Sequence, residues 1–171
     1  MRRKDRALAP DQAYAIIDAC EYAVFSCVDD AGEIFSIPLS LARKDERIFI
    51  HGASKGAKTQ LFTHGRAVTI VCVSYNRVPT LSADDFAAIR NDGKSLGDQV
   101  FTTEYTSAIA HTRAREVTDT DEKMAALRLL CEKYTPEYMS AFETAARHSI
   151  RHTKIYEFAI ERLSAKAKIL K

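Results

Sequence analysis

The stretch Tyr22-Ala23-Val24-Phe25-Ser26-Cys27-Val28-Asp29-Asp30-Ala31-Gly32-Glu33-Ile34-Phe35-Ser36-Ile37-Pro38-Leu39-Ser40-Leu41-Ala42 decides how this chain folds. Two runs rich in β-branched and aromatic residues flank Asp29-Asp30-Ala31-Gly32, a turn of hairpin character. In the return run, from about Glu33 to Ala42, Phe35, Ile37, Leu39 and Leu41 share one face, while Ser36, Pro38 and Ser40 share the other. That is the period of an antiparallel strand with one buried face. Pro38 cannot donate to a ladder, so it marks an edge, a bulge, or a place where something else approaches the backbone.

Upstream, Pro10-Asp11-Gln12 opens a helix with Ala13, Ile16, Ile17 and Cys20 on one stripe. Downstream, Lys44-Asp45-Glu46-Arg47 is a second charged turn, and Ile48-Phe49-Ile50-His51 is a short strand. A small polar loop, Gly52-Ala53-Ser54-Lys55-Gly56, leads into a short helix through Lys58, Leu61 and Phe62 that Gly65 breaks. Ala67 to Ser74 is nearly continuous apolar sequence, which predicts a strand buried on both faces. Residues 76–97 are the least regular and read as a long, partly mobile excursion, with one short helix start at Ser82. A long strand follows from about Gln99 to Val117, with Phe101, Thr103, Tyr105, Ser107, Ile109 and His111 on one face. Asp119 and Glu122 form a capping-box-like start to a helix that Pro136 ends. A second helix runs from about Glu137 to Arg147, and a last strand from Thr153 to Arg162. Lys166, Lys168 and Lys171 read as a solvated tail.

Six strands joined mostly by hairpins predict a mainly β (α+β) fold, an antiparallel sheet or small barrel with peripheral helices, and disfavour a doubly wound parallel sheet. The 171 residues, 46% hydrophobic, suit a single domain over residues 1–171. With 25 basic and 23 acidic residues the net charge is only +2, which gives no push toward nucleic acid or membrane. The start, Met1-Arg2-Arg3-Lys4-Asp5-Arg6, reads as a short solvated arm. No stretch has signal-peptide or membrane-spanning character, so a cytoplasmic protein is expected. Cys20, Cys27, Cys72 and Cys131 form no C-x-x-C pair and read as small hydrophobes in a reducing compartment.

The strongest chemical signal is His51-Gly52-Ala53-Ser54-Lys55-Gly56-Ala57-Lys58-Thr59. A strand end, a glycine loop, a helix start and two lysines coincide there, which suits an anion, and phosphate above all. The spacing fails the G-x-x-x-x-G-K-[ST] pattern of nucleotide hydrolases. His148 and His152 are spaced i, i+4 but lack a partner glutamate at metalloprotease spacing, so no metal site is expected. Ser107 lacks a nucleophile elbow and reads as a strand serine or a ligand donor beside Tyr105.

Taken in order, five segments resemble the flavin-binding split-barrel proteins related to pyridoxamine 5′-phosphate oxidase, and more narrowly the branch of nitroimidazole-resistance, nitroreductase-type proteins. They are Met1–Arg6, Ile37-Pro38-Leu39-Ser40, Ile48-Phe49-Ile50-His51-Gly52-Ala53 with Gly56 and Lys58, Tyr105-Thr106-Ser107-Ala108-Ile109, and Leu130-Cys131-Glu132-Lys133-Tyr134-Thr135-Pro136. The resemblance implies a six-stranded split β-barrel, usually a homodimer, with FMN in a cleft at the dimer interface. By the same resemblance Ile37, Pro38, Leu39 and Ser40 would present backbone to the isoalloxazine ring. His51, Gly52, Ala53 and Lys58 would line the phosphate and ribityl side, with Lys55 in support, and Tyr105 and Ser107 would face the flavin from the long strand. His51 is the candidate for a proton donor or ligand contact near the reacting region.

The chain departs from that pattern twice. Ala57-Lys58 stands where many members carry two adjacent basic residues. There is also no Trp and no Trp- and Arg-containing terminal segment of the kind that binds substrate in true pyridoxamine phosphate oxidases. An FMN-dependent oxidoreductase acting on a small molecule, rather than a vitamin B6 oxidase, is the resulting expectation. The alternatives are a non-enzymatic flavin-binding or sensing protein and a haem-binding split-barrel relative.

Overall fold

The computed structural model describes residues 3–170. Met1 and Arg2 of the basic arm and Lys171 of the tail lie outside the described residues. One helix, α1 (Pro10–Ala19), precedes the strands β1 (Ala23–Val28), β2 (Ile34–Leu39), β3 (Ala42–Lys44) and β4 (Arg47–Ala53). Then come α2 (Lys58–Leu61), β5 (Ala67–Arg77), α3 (Ala83–Ile89), α4 (Gly93–Gln99), β6 (Glu104–Val117), α5 (Thr120–Tyr134), α6 (Phe142–Ser149) and β7 (Thr153–Lys168). The strands form one antiparallel sheet in the order β2-β1-β5-β6-β7-β4-β3. The mainly β architecture with peripheral helices is therefore as expected, with seven strands instead of six.

The extra strand arises in the return run of the first hairpin. Residues 34–39 pair with β1 and residues 42–44 pair with β4, so the run from Glu33 to Ala42 is two strands. These are the two outermost strands of the sheet, yet only Ser40 and Leu41 separate them. The two edges can lie that close along the chain only if the sheet is rolled up. No ladder joins β2 to β3 or β4, so the roll stays open along a seam. Pro38 sits on β2, an edge strand, where its missing N–H is tolerated.

The hairpin turn is held by the Asp29 carboxylate, which accepts from the N–H groups of Ala31 and Glu33, both at 2.9 Å. Inside the roll lies an aromatic cluster. The Phe25 and Phe62 rings stand 5.0 and 5.2 Å from Phe158, and Phe62 stands 5.8 Å from Tyr156. Ala13, Ile16 and Ile17 of α1 pack against the same core. A second apolar cluster covers the outside of β4 and β7, where Leu127, Phe142 and Ala146 of α5 and α6 meet Phe49, Val117 and Ile155. Ile48-Phe49-Ile50 and Ile155-Tyr156-Glu157-Phe158 are consequently buried on both faces.

β5 is not. Val68, Ile70 and Cys72 point inward, but Thr69 and Val71 are half-buried and Val73 is exposed, because the helices cover only the β4–β7 side. Continuous apolar sequence there marks an open outer face rather than double burial. Residues 76–97 hold real structure, since α3 and α4 start at Ser82 and Asp92, whose side chains accept from Asp85 N–H and Lys94 N–H. The strand expected from Gln99 begins at Glu104, and Phe101 lies exposed outside it. The last strand continues six residues past Arg162, so Lys166 and Lys168 belong to the sheet and not to a solvated tail.

Asp119 caps α5, accepting from Asp121 N–H and Glu122 N–H. Residues 136–141 form a 3-10 stretch before α6, so the helix expected from Glu137 starts at Phe142. At the end of α5 the Tyr134 hydroxyl accepts from Leu41 N–H at 3.0 Å and has the Glu21 carbonyl at 2.7 Å. Cys20, Cys27 and Cys72 are buried and free, as expected.

Candidate functional site at the barrel seam

The β3–β4 ladder pairs Ala42 with Phe49, Arg43 with Ile48 and Lys44 with Arg47. Continued in the same register, it would set Ser40 against His51, Leu39 against Gly52 and Pro38 against Ala53. It stops instead, because residues 34–39 are drawn to β1. The segments 37–40 and 51–53, singled out separately in the sequence, therefore belong to the two strands that part at the seam. Phe35, Ile37 and Leu39 lean on the core, whereas Ser36, Pro38 and Ser40 face outward.

β4 delivers His51, Gly52 and Ala53 to the loop at residues 54–57. Gly56 has φ +108°, a conformation that suits glycine, and its carbonyl accepts from the Thr59 hydroxyl at 2.8 Å and from Thr59 N–H at 3.1 Å. This fixes the turn that returns Lys58 toward the strand. A Cβ on Gly52 would lie 3.1 Å from Lys58 Cε and 3.2 Å from Lys58 Nζ, so the lysine side chain lies across the glycine. No carboxylate is in ion-pair reach of Lys58 among the described residues. Helix α2 is a single turn of 4 residues, so its dipole adds little and the lysine charge is the main attraction for an anion. Lys55 is exposed in the loop.

His51 keeps an exposed edge, yet the protein mass around it pushes its pKa below the usual histidine value, and the Lys58 ammonium acts in the same direction. Its imidazole is thus neutral at pH 7, able to accept a proton or coordinate a metal ion.

Sequence reasoning missed three residues behind Gly52. Tyr156 lies in the barrel wall, with its ring 3.9 Å from the Gly52 Cβ position and its hydroxyl buried without a hydrogen-bond partner. Burial first, and Glu116 second, push its pKa up to about 12. Glu116 pairs with Lys154 at 2.7 Å. No local pattern announces this group, because its members meet only through the β4–β7–β6 register.

Tyr105 and Ser107 are elsewhere. They sit on the half-buried outer side of β6, separated from β2 by β1 and β5 and from β4 by β7. A single chain does not bring them to the seam. His148 and His152 do not share one helix, since α6 ends at Ser149. Among the described residues, no group of three or more His, Cys, Asp or Glu could hold a metal ion, and no helix is long and apolar enough to cross a membrane.

The sequence profile of the pyridoxamine 5′-phosphate oxidase family matches residues 9–167, nearly the whole chain and both sides of the seam. The chain belongs to the pyridoxamine 5′-phosphate oxidase family. A comparison with curated proteins finds no match. Solved structures share the fold at low identity. A candidate 5-nitroimidazole antibiotic resistance protein of Bacteroides thetaiotaomicron is 15% identical, with TM-score 0.70 over 94% of this chain and 86% of the other. An FAD- and haem-binding protein of Mycobacterium smegmatis is 16% identical, with TM-score 0.73 over 94% and 71%. A flavocytochrome of Azotobacter vinelandii is 21% identical, with TM-score 0.72 over 99% and 72%. Within the pyridoxamine 5′-phosphate oxidase family, this chain carries a Lys58 ammonium with no carboxylate in ion-pair reach among the described residues, and its sequence has no Trp.

Proposed function

We propose that the protein binds FMN along the seam between β2 and β4 and uses it as an oxidoreductase toward a small molecule, with nitroreductase-like chemistry as the narrower reading. The observation that carries this is the Lys58 ammonium, free of carboxylates and held over Gly52 where the two edges part. A phosphate there would gain a charge-assisted hydrogen bond and backbone donors of the 52–57 loop. Family membership and the flavin proteins among the similar structures support the same reading.

Ile37, Pro38, Leu39 and Ser40 would line the ring, and His51, Gly52, Ala53, Lys55 and Lys58 the phosphate and ribityl side. Tyr105 and Ser107 would come from a second copy in a homodimer, docked through the open outer face of β2, β1, β5 and β6. That face exposes Ile34, Val28 and Val73. A bound flavin supplies hydride and electron transfer. The chain's own part is to hold the phosphate, orient the ring and offer the neutral His51 imidazole as a proton acceptor. A role confined to flavin binding or sensing would use the same residues without turnover.

The test is titration of FMN and riboflavin into the protein and its Lys58→Ala variant. Loss of one charged hydrogen bond weakens FMN by about tenfold or more and leaves riboflavin little changed. Equal weakening of both ligands rules out the phosphate role. Anaerobic bleaching of the flavin band by NADH or NADPH then separates an oxidoreductase from a flavin-binding module. A second reading, haem held by His51, is favoured by the two haem-related similar structures. It requires a Soret band on haem addition that His51→Ala abolishes.

A further inference from the structure

Where the C-terminal end of α1 meets β5, two cysteine side chains touch. The β1–β5 ladder sets Cys72 opposite Ala23, so the short link after α1 brings Cys20 to Cys72. Both side chains lie in the barrel core, at 1% and 0% exposure. The Cys72 thiol donates to the Cys20 sulfur, and the Cys20 thiol donates to the Ile17 carbonyl at 3.2 Å. The Lys133 ammonium of α5 donates to the same carbonyl oxygen at 3.4 Å. A chain of thiol, thiol, carbonyl and ammonium therefore runs from β5 through α1 to α5. Lys133 has no carboxylate in ion-pair reach among the described residues. Asp18, on the same end of α1, is engaged by Arg43 at 2.9 and 2.5 Å.

Packing alone explains a buried thiol but not this pairing. Cys27 lies in the same core, and burial pushes its pKa up. Cys20 goes the other way. The hydrogen bond from Cys72 holds it below the usual thiol range, and the Lys133 ammonium acts in the same direction, against burial and Asp18. The same hydrogen bond, with burial, pushes Cys72 up. The pair is unsymmetrical, with one sulfur suited to attack and the other kept as a thiol. When Cys20 gives up its proton, the Ile17 carbonyl keeps Lys133 as donor, so no buried polar group is left without a partner.

We propose that Cys20 and Cys72 form an oxidative modification site, at which hydrogen peroxide joins the two sulfurs as a disulfide. Burial excludes glutathione and other bulky disulfides, so the oxidant must be small and neutral. The Cys20 thiolate attacks one peroxide oxygen. The O–O bond breaks, an S–O bond forms, and the departing hydroxide takes the proton lost from Cys20 to become water. The Cys72 sulfur then attacks the sulfenic sulfur, and the second hydroxide leaves with the Cys72 proton as water. Two thiols lose two electrons, and hydrogen peroxide is reduced to two waters. Nothing in this chemistry depends on a bound flavin.

The experiment exposes the folded full-length protein to hydrogen peroxide, stops the reaction with catalase, then unfolds, alkylates and digests the chain for mass spectrometry. The expected product is a cross-linked peptide pair containing Cys20 and Cys72, lighter by two hydrogens and restored to two thiols by dithiothreitol. Cys27 is also buried, so it reports whether the core has opened, and it should remain alkylatable. In Cys72→Ala, Cys20 should stop at the sulfenic acid and be trapped by dimedone. In Cys20→Ala, Cys72 should oxidise more slowly by about tenfold or more, as a thiol kept protonated. If either variant fails to fold, the peptide map of the unsubstituted protein decides. Cys20 and Cys72 both still alkylatable after a dose that oxidises the half-buried Cys131 would overturn the proposal. So would a cross-link through Cys131 in place of this one, or loss of Cys27 in step with Cys20, which would mean that oxidation needs the unfolded chain.

Discussion

Lys58 folds back over Gly52 so closely that one methyl group on the glycine would stand 3.1 Å from the lysine Cε. The glycine is needed for the space above it, which a flexible cation occupies.

Gly52→Ala follows directly. The atoms that must move are the far end of a flexible side chain, so folding stability should change by less than about 1 kcal/mol. The lysine, however, is driven off its resting place. Thermal melting should therefore stay near that of the unsubstituted protein while the ratio of FMN to riboflavin affinity changes. A large loss of melting temperature with an unchanged ratio would mean that the glycine serves the backbone alone.

His51 gives a pH signature. Its pKa is lower folded than unfolded, so the unfolded chain binds more protons as pH falls through the histidine range. Its contribution to stability is full above the unfolded value, roughly pH 6.5, and is lost on acidification through the folded value. His51→Ala should flatten that part of the stability–pH curve, measured by urea unfolding from neutral pH down to about pH 5. An unchanged slope would show that the ring is as free in the fold as in the unfolded chain.

The ion group on the outside of the sheet ties α5 to β6 and β7. Glu157 is only 5% exposed; it accepts from Arg115 at 2.9 and 2.7 Å, with Arg47 3.5 Å away. Arg115 also reaches Glu122 at the start of α5. Arg115→Met should cost about 2–3 kcal/mol, below the full price of a broken buried pair because Arg47 remains and Arg115 is itself half exposed. Chemical denaturation measures it, and a loss under 0.5 kcal/mol, on the order of a surface pair, would mean that Arg47 alone satisfies the buried carboxylate.

The local signals in the sequence were faithful where one element decided its own fate. The alternation of Phe35, Ile37 and Leu39, the hairpin at residues 29–32 and the Asp119 cap all appear as expected. The readings that needed a second element differ from the structure. Nothing local marks the break at Ser40–Leu41, because it reflects a change of pairing partner from β1 to β4. Val71 and Val73 looked like core residues because an apolar face reads the same whether or not anything covers it. Lys166 and Lys168 read as a tail, because a strand of small and charged residues gains its stability from its neighbour. At the seam, the residue types at 51–58 were legible, but the return of Lys58 over Gly52 and the buried Tyr156 hydroxyl behind it were not.

The crossing at Ser40–Leu41 also bears on which lengths of chain this fold can accept. The turns at residues 29–32 and 45–46 join neighbouring strands at the surface and should absorb extra residues. Between Leu39 and Ala42 the chain leaves one margin of the sheet and joins the other, with Leu41 buried and its N–H held by Tyr134. One residue more or less there would turn every later side chain of β3 to the opposite face. In a library of single-residue insertions and deletions, positions 40 and 41 should be among the least tolerant in the chain, and the seam should keep a fixed width through evolutionary drift in the loops around it.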